Sequence, residues 1–282
     1  AETTAVSAVN GTVSTVKKKR FAVAGAVPKS SRALPEFFDD AVFIGDSVSE
    51  KLRLYEFKDH SLGKAQFLAA GSLGSGNALW KVSSKSVHPS YKGKKMRLEE
   101  SVPLTGAKKI YIMLGMNDIG IYGTDKAVEN LSNLIDLILK ATPDARIFIQ
   151  SMTPIASFST SASKKGLNNK NIMIYNRKLS KLCRDNGYYF IDVASVMYDK
   201  TGCLKENYCS DLGHMGLHFN DAGCKAWVDY LATHIPEKEI LLLAETTVSP
   251  TESQTKPETT AVPVTACAAT MPRPRTRPMC RS

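Results

Sequence analysis

Ala41-Val42-Phe43-Ile44-Gly45-Asp46-Ser47 is an apolar run that ends in a glycine, an acid and a hydroxyl. Such a run suits a strand buried on both faces of a parallel sheet. A serine at the carboxyl end of a buried strand, ahead of a helix, stands where open α/β sheets place reactive groups. Ser47 is therefore a candidate nucleophile. Its other reading is a helix N-cap in front of Val48-Ser49-Glu50.

Four further apolar runs read as strands, at 66–70, 109–114, 146–151 and 188–193, beside the first at 41–45. Helical patterns alternate with them. In 125–140, Ala127, Val128, Leu131, Leu134, Ile135, Ile138 and Leu139 form one stripe, with Thr124 as N-cap. Helices are also expected at about 168–186 and 221–235. This alternation implies a parallel sheet covered on both faces, with right-handed crossovers. The lysine-rich stretch 81–108 reads as a long loop over the site.

Two other segments carry chemistry. Gly115-Met116-Asn117-Asp118 follows the third run, and the Asn117 amide can donate to an oxyanion without changing protonation. An Asx-turn is the alternative for that asparagine. His218-Phe219-Asn220-Asp221-Ala222-Gly223 opens the last helix. His214 lies four residues earlier, and Asp211 three before that. A carboxylate beside an imidazole fixes its tautomer and stabilises the imidazolium. Both histidines are candidates for the general base. Gly71-Ser72-Leu73-Gly74 follows the second strand, where glycine lets the backbone aim an N–H at a ligand.

Gly45-Asp46-Ser47, Gly71 to Gly74, Gly115-x-Asn117-Asp118 and His218-x-Asn220-x-x-Gly223 together resemble the four blocks of the SGNH/GDSL hydrolases, over about 36–240. The resemblance implies a flavodoxin-like three-layer α/β/α sandwich with a five-stranded parallel sheet in the order 2-1-3-4-5. It implies Ser47 as nucleophile, an oxyanion hole from the Ser47 N–H, the Gly74 N–H and the Asn117 side chain, and neither metal nor organic cofactor. In two places the chain departs from the pattern. Val48 replaces a leucine. The last block of the family reads Asp-x-x-His-x-Asn-x-x-Gly, whereas here Met215 stands three before His218. Asp211-x-x-His214 keeps the acid–base spacing and His218-x-Asn220 keeps the helix spacing, offset by four residues.

Charge is concentrated at the ends. Residues 1–35 hold six basic side chains and one acidic, and 245–282 hold five and three, so 36–244 carries only +3 of the net +10. Lys17-Lys18-Lys19-Arg20 comes without any base-reading motif and reads as a solvated tail, so no nucleic-acid partner is expected. The basic segment 1–35, whose first 16 residues are Thr, Ser, Ala and Val without a lasting period, and the Thr/Pro-rich segment 241–282 are expected to be disordered flanks of a 36–240 domain. Such flanks fit an extracellular or cell-surface protein with cell-wall association through its tails. No run is apolar and long enough to span a membrane. The six cysteines show no C-x-x-C spacing, against a zinc site, and one disulfide among Cys203, Cys209 and Cys224 is an open alternative to free thiols. The expectation is a monomeric serine esterase acting on a small-molecule or polysaccharide ester, above all a carbohydrate O-acetyl ester. Lipase or thioesterase action at the same site and a non-catalytic carbohydrate-binding protein are the rivals. A flavin binder lacks its phosphate loop.

Overall fold

The structure is a computed structural model, and it describes residues 21–159 and 166–247. The expectations for Lys17–Arg20, Cys267, Cys280 and the outermost parts of both flanks lie outside the described residues.

Five strands, β1 (Ala41–Gly45), β2 (Gln66–Ala69), β3 (Lys109–Met113), β4 (Arg146–Gln150) and β5 (Tyr189–Ile191), form one parallel sheet in the order β2-β1-β3-β4-β5. This is the expected three-layer fold. Every residue of β1 and β3 is buried, because helices cover both faces. In-register aromatics cross one face of the sheet from edge to edge. Phe67, Phe43, Tyr111, Phe148 and Tyr189 follow one another at ring-centroid separations of 5.3, 4.7, 4.4 and 4.9 Å. One aromatic per strand thus locks the register, each pair adding about 0.5–1.5 kcal/mol beyond its area.

Helices α1 (Ser47–Asp59), α6 (Ala194–Met197) and α7 (Asp221–Ala232) pack together, and so do α2 (Ser75–Ala78), α3 (Leu98–Thr105), α4 (Ile119–Ala141) and α5 (Asn169–Asn186). The expected stripe is buried on α4 through Ala127, Leu131, Leu134, Ile135 and Ile138. This helix begins earlier than its pattern, at Ile119, and bends at Gly123, just before the expected cap Thr124. Asn168 and Asn220 cap α5 and α7 through the N–H groups of Asn171 and Gly223. The stretch 81–108 is not a loop over the site. It forms a short hairpin, 90–91 with 94–95, and then α3, and the Tyr91 hydroxyl ties it to Gln66 on β2 and to the Leu104 carbonyl.

Both domain boundaries move outward. Residues 21–35 are not a free flank. The Val27 N–H donates to the Phe190 carbonyl on β5 at 2.9 Å, the Val23 N–H to Asp192 Oδ2 at 2.9 Å, and the Ser30 and Ala33 N–H groups to the carbonyls of Thr233 and Ala232. Val27 is buried, and Phe21 stacks on Tyr198. Beyond α7, residues 237–247 form α8, which places the buried Glu239 carboxylate 2.6 Å from Arg146 Nε. The segment 21–35 shows no period because irregularly spaced apolar side chains, among them Phe21, Val23 and Val27, and backbone bonds hold it. Deleting 1–35 should lower the melting temperature by roughly 5–10 °C more than deleting 1–20, since removing one buried valine and the hydrogen bonds of four backbone N–H groups amounts to a few kcal/mol in a domain of this size. Differential scanning calorimetry of both truncations checks this. Equal melting temperatures would mean that 21–35 adds nothing to the fold.

Candidate active site

The sheet order reverses between β1 and β3, and the crevice at their carboxyl ends is where open α/β sheets bind ligands. Gly45 closes β1. A Cβ there would stand 1.9 Å from Ser49 Oγ, so only glycine lets the first turn of α1 fold back so tightly. Asp46 caps that turn, its Oδ1 accepting the Val48 N–H at 2.9 Å. The Ser47 N–H is one of the first-turn donors that a helix cannot satisfy itself. Ser47 is thus the first residue of the helix, not its cap.

Asn117 follows β3 on a turn that Gly115 makes possible. Gly115 has φ 143°, and a Cβ there would meet the Tyr175 ring at 2.5 Å. The Asn117 amide donates to the Leu73 carbonyl at 3.1 Å and to Asp46 Oδ2 at 3.3 Å. Asp46 therefore joins the end of β1 to the end of β3. Asp118 is fully buried and accepts the N–H groups of Ser75 and Gly76 at 2.9 Å each, which fixes the 71–78 turn beside it.

His218 Nε2 lies 3.0 Å from Ser47 Oγ, and His218 Nδ1 lies 2.8 Å from Asp211 Oδ2. With the ring proton on Nδ1 donated to the carboxylate, Nε2 is the acceptor for the serine hydroxyl. The four-residue offset in the last block is absorbed by a turn over 212–217. Asp211 Oδ1 accepts the N–H groups of Leu217 at 3.0 Å and His218 at 3.1 Å, and the Gly216 N–H returns to the Asp211 carbonyl. His214 is exposed on that turn, its own N–H on the Asp211 carbonyl at 3.0 Å. Of the two candidate bases, only His218 meets Ser47.

One expected oxyanion donor is engaged elsewhere. The Gly74 N–H donates to Asn77 Oδ1 at 2.9 Å, as the cap of α2. It is closed to a ligand until Asn77 turns away. Asp192, just after β5, is buried, accepts the Val23 N–H and so holds the amino-terminal segment. Cys183, Cys203, Cys209 and Cys224 are free thiols. Among the described residues no cluster of three or more His, Cys, Asp and Glu could hold a metal, and no helix is long and apolar enough to cross a membrane.

Three features escaped the sequence. The first is the bridging role of Asp46. The second is an apolar cleft of about 160 Å³ beside Asn117, lined by Met116, Ile121, Leu167, Met215 and Leu217. It is assembled from three distant segments and leaves no local pattern. The third is the Cys209 thiol, 3.2 Å from Asp211 Oδ1. Its signal was available, because residues two apart on an extended chain face the same way.

The carboxylates are tuned in opposite directions. Burial pushes Asp46 up to about 7, against the Val48 hydrogen bond and with the nearby Asp118 adding to the rise. Burial also acts to raise Asp211, but the hydrogen bonds from His218, Cys209 and the backbone outweigh it and hold it below the ordinary value. A raised acid stabilises the fold below its unfolded pKa and loses that contribution as pH rises through its folded value. Stability should therefore fall between pH 5 and pH 8. Asp118 and Glu56 are raised by burial too, so the fall is shared among the three carboxylates. Asp46→Asn should remove one share and flatten the fall, as urea unfolding at the two pH values would measure. Equal falls in variant and wild type would show that Asp46 does not change protonation in that window.

Several solved structures share this fold. A candidate acylhydrolase from Bacteroides fragilis matches with a TM-score of 0.54 at 19% identity, covering 79% of this chain and 92% of that one. A GDSL-like lipase from Bacteroides thetaiotaomicron gives 0.52 at 16%, covering 77% and 93%. A candidate platelet activating factor from Streptococcus pneumonia gives 0.52 at 21%, covering 68% and 81%. A search of the curated proteins found no match. The sequence itself matches the GDSL-like Lipase/Acylhydrolase family from residue 43 to residue 226, a span that runs from β1 into α7 and takes in Ser47, Asn117, Asp211 and His218. The chain belongs to that family.

Proposed function

We propose that the protein hydrolyses carboxylic esters through an acyl-serine intermediate. The Ser47–His218–Asp211 relay, with contacts of 3.0 and 2.8 Å, carries this reading. His218 Nε2 takes the Ser47 proton as Oγ attacks the ester carbon, and the carbonyl electron pair moves onto oxygen. The Ser47 N–H and the Asn117 amide face that oxyanion, the amide exchanging its long contact to Asp46 for the substrate oxygen. As the tetrahedral species collapses, the alcohol leaves with the proton from His218. Water then attacks the acyl-serine with His218 again as base, and the acid is released. Asp211 stabilises the imidazolium in both halves.

The substrate proposed is a short-chain ester of a hydroxyl-rich alcohol, in the first place a carbohydrate O-acetyl ester. The apolar cleft beside Asn117 is small, which favours a short acyl group. On the other flank, a groove of about 610 Å³ runs between α1 and the start of α7, lined by polar Lys51, Ser210, Asn220 and Asp221 with Tyr55 and Phe219. Hydroxyl-bearing alcohols suit that mixture of polar and aromatic groups. An extracellular or cell-surface site of action is part of this proposal and rests on the composition of the flanks.

Turnover of p-nitrophenyl acetate and of an acetylated oligosaccharide by a set of variants tests the reading. Ser47→Ala should abolish activity and keep the fold. His218→Ala should lose about 10³-fold or more in kcat and His214→Ala much less, and Asn117→Ala should lose about 10²–10³-fold in kcat with a smaller change in KM. Near-wild-type turnover in Ser47→Ala would sink the mechanism, and a larger loss at His214 would move the base there.

A further inference from the structure

We propose that Cys209 is a positioning residue of this site. Its thiol donates to Asp211 Oδ1 and turns the carboxylate so that Oδ2 faces His218 Nδ1. The inference rests on the esterase reading only for its kinetic readout.

Asp211 opens the turn over 212–217, whose Leu212 and Met215 are exposed to 44% and 39%. A carboxylate at the mouth of such a turn is free to rotate about its last bond unless donors fix it. Two donors to Oδ1, the N–H groups of Leu217 and His218, come from the returning arm of the turn. The third, the Cys209 thiol at 3.2 Å, comes from the arm that leads into it. Oδ1 therefore ties the two arms together, and Oδ2 is left for the imidazole at 2.8 Å.

The leading arm is well placed to do this. Cys209 is 7% exposed and sits in an antiparallel bridge opposite Phe219. Ser210 N–H donates to the His218 carbonyl at 2.8 Å and Asn220 N–H to the Tyr208 carbonyl at 3.0 Å, so 208–210 is clamped to 218–220. Phe219 packs edge-on against the buried Trp227, whose indole N–H donates to Gln150 on β4 at 2.7 Å. The thiol thus holds the carboxylate against a frame anchored in the sheet, while the turn itself projects outward. Burial, with Asp211 beside it, pushes the Cys209 thiol up to about 11, so it remains a protonated donor at neutral pH. Among the described residues, the donors to this carboxylate are the Leu217 and His218 N–H groups, the His218 imidazole and the Cys209 thiol.

A role in packing and a role in donation separate on two substitutions. Valine keeps the apolar volume and removes the donor. Serine keeps a donor and removes volume. Cys209→Val should lower kcat about tenfold with KM within about twofold, while Cys209→Ser should stay within about threefold of wild type, since one lost hydrogen bond to a charged group is of that order. The second readout needs no substrate. The His218 Nδ1–H proton, seen at low field in ¹⁵N-histidine-labelled full-length protein, should shift upfield or broaden in Cys209→Val and persist in Cys209→Ser. Unchanged kcat and an unchanged proton resonance in Cys209→Val would overturn the proposal. So would the reverse order, with valine tolerated and serine impaired. If ester turnover proves independent of Ser47, the esterase reading fails by itself and the proton resonance still decides the role of Cys209.

Discussion

The parallel pairing of β1 with β3, from Ala41 opposite Lys109 to Gly45 opposite Met113, is the constraint on which the site depends. These are the two strands between which the sheet reverses its order, so no connection covers the crevice at their ends. The register brings Ser47 and Asn117 out side by side, and Asp46 ties them by accepting from Val48 with one oxygen and from Asn117 with the other. A slip of one residue between β1 and β3 would put the Phe43 and Tyr111 rings on opposite faces and break the stack that crosses the sheet. The core therefore sets the spacing of the site through the same contacts that stabilise the fold.

Electrostatics carries the cost of this arrangement. Two carboxylates, Asp46 and Asp118, are buried, burial raises both, and Asp118 adds to the rise of Asp46. Each is met by backbone N–H donors, from Val48 and from Ser75 and Gly76, which offsets part of the desolvation. Without these carboxylates the Val48, Ser75 and Gly76 N–H groups would lose their acceptors, and Asn117 and the 71–78 turn would be unheld. Asp211 differs because it sits nearer the surface with four donors around it, so it remains an anion able to stabilise an imidazolium.

Much of this was legible in the chain. The short apolar runs marked all five strands, because a parallel strand covered on both faces shows little alternation. The stripe on α4 and the position of Ser47 and Asn117 after apolar runs followed from the same logic. What could not be read depended on contacts between distant segments. Whether His214 or His218 met Ser47 turned on the path of residues 212–217, and spacing does not encode that path. The Gly74 amide reads as an open donor because nothing in Gly71-Ser72-Leu73-Gly74 shows that Asn77 folds back to accept it. Residues 21–35 resemble a tail because their hold on β5 and on the end of α7 is made largely by backbone groups.

The contact between His218 and Ser47 is the central claim, and reaction with a fluorophosphonate probes it without knowledge of the substrate. Such a reagent phosphonylates a serine, with loss of fluoride, only where a base activates the hydroxyl and donors stabilise the developing negative charge on the phosphonyl oxygen. Mass spectrometry of peptides from the labelled protein should find one adduct, on Ser47, formed in wild type and reduced to background in His218→Ala. No adduct on Ser47, or an undiminished one in His218→Ala, would contradict the account.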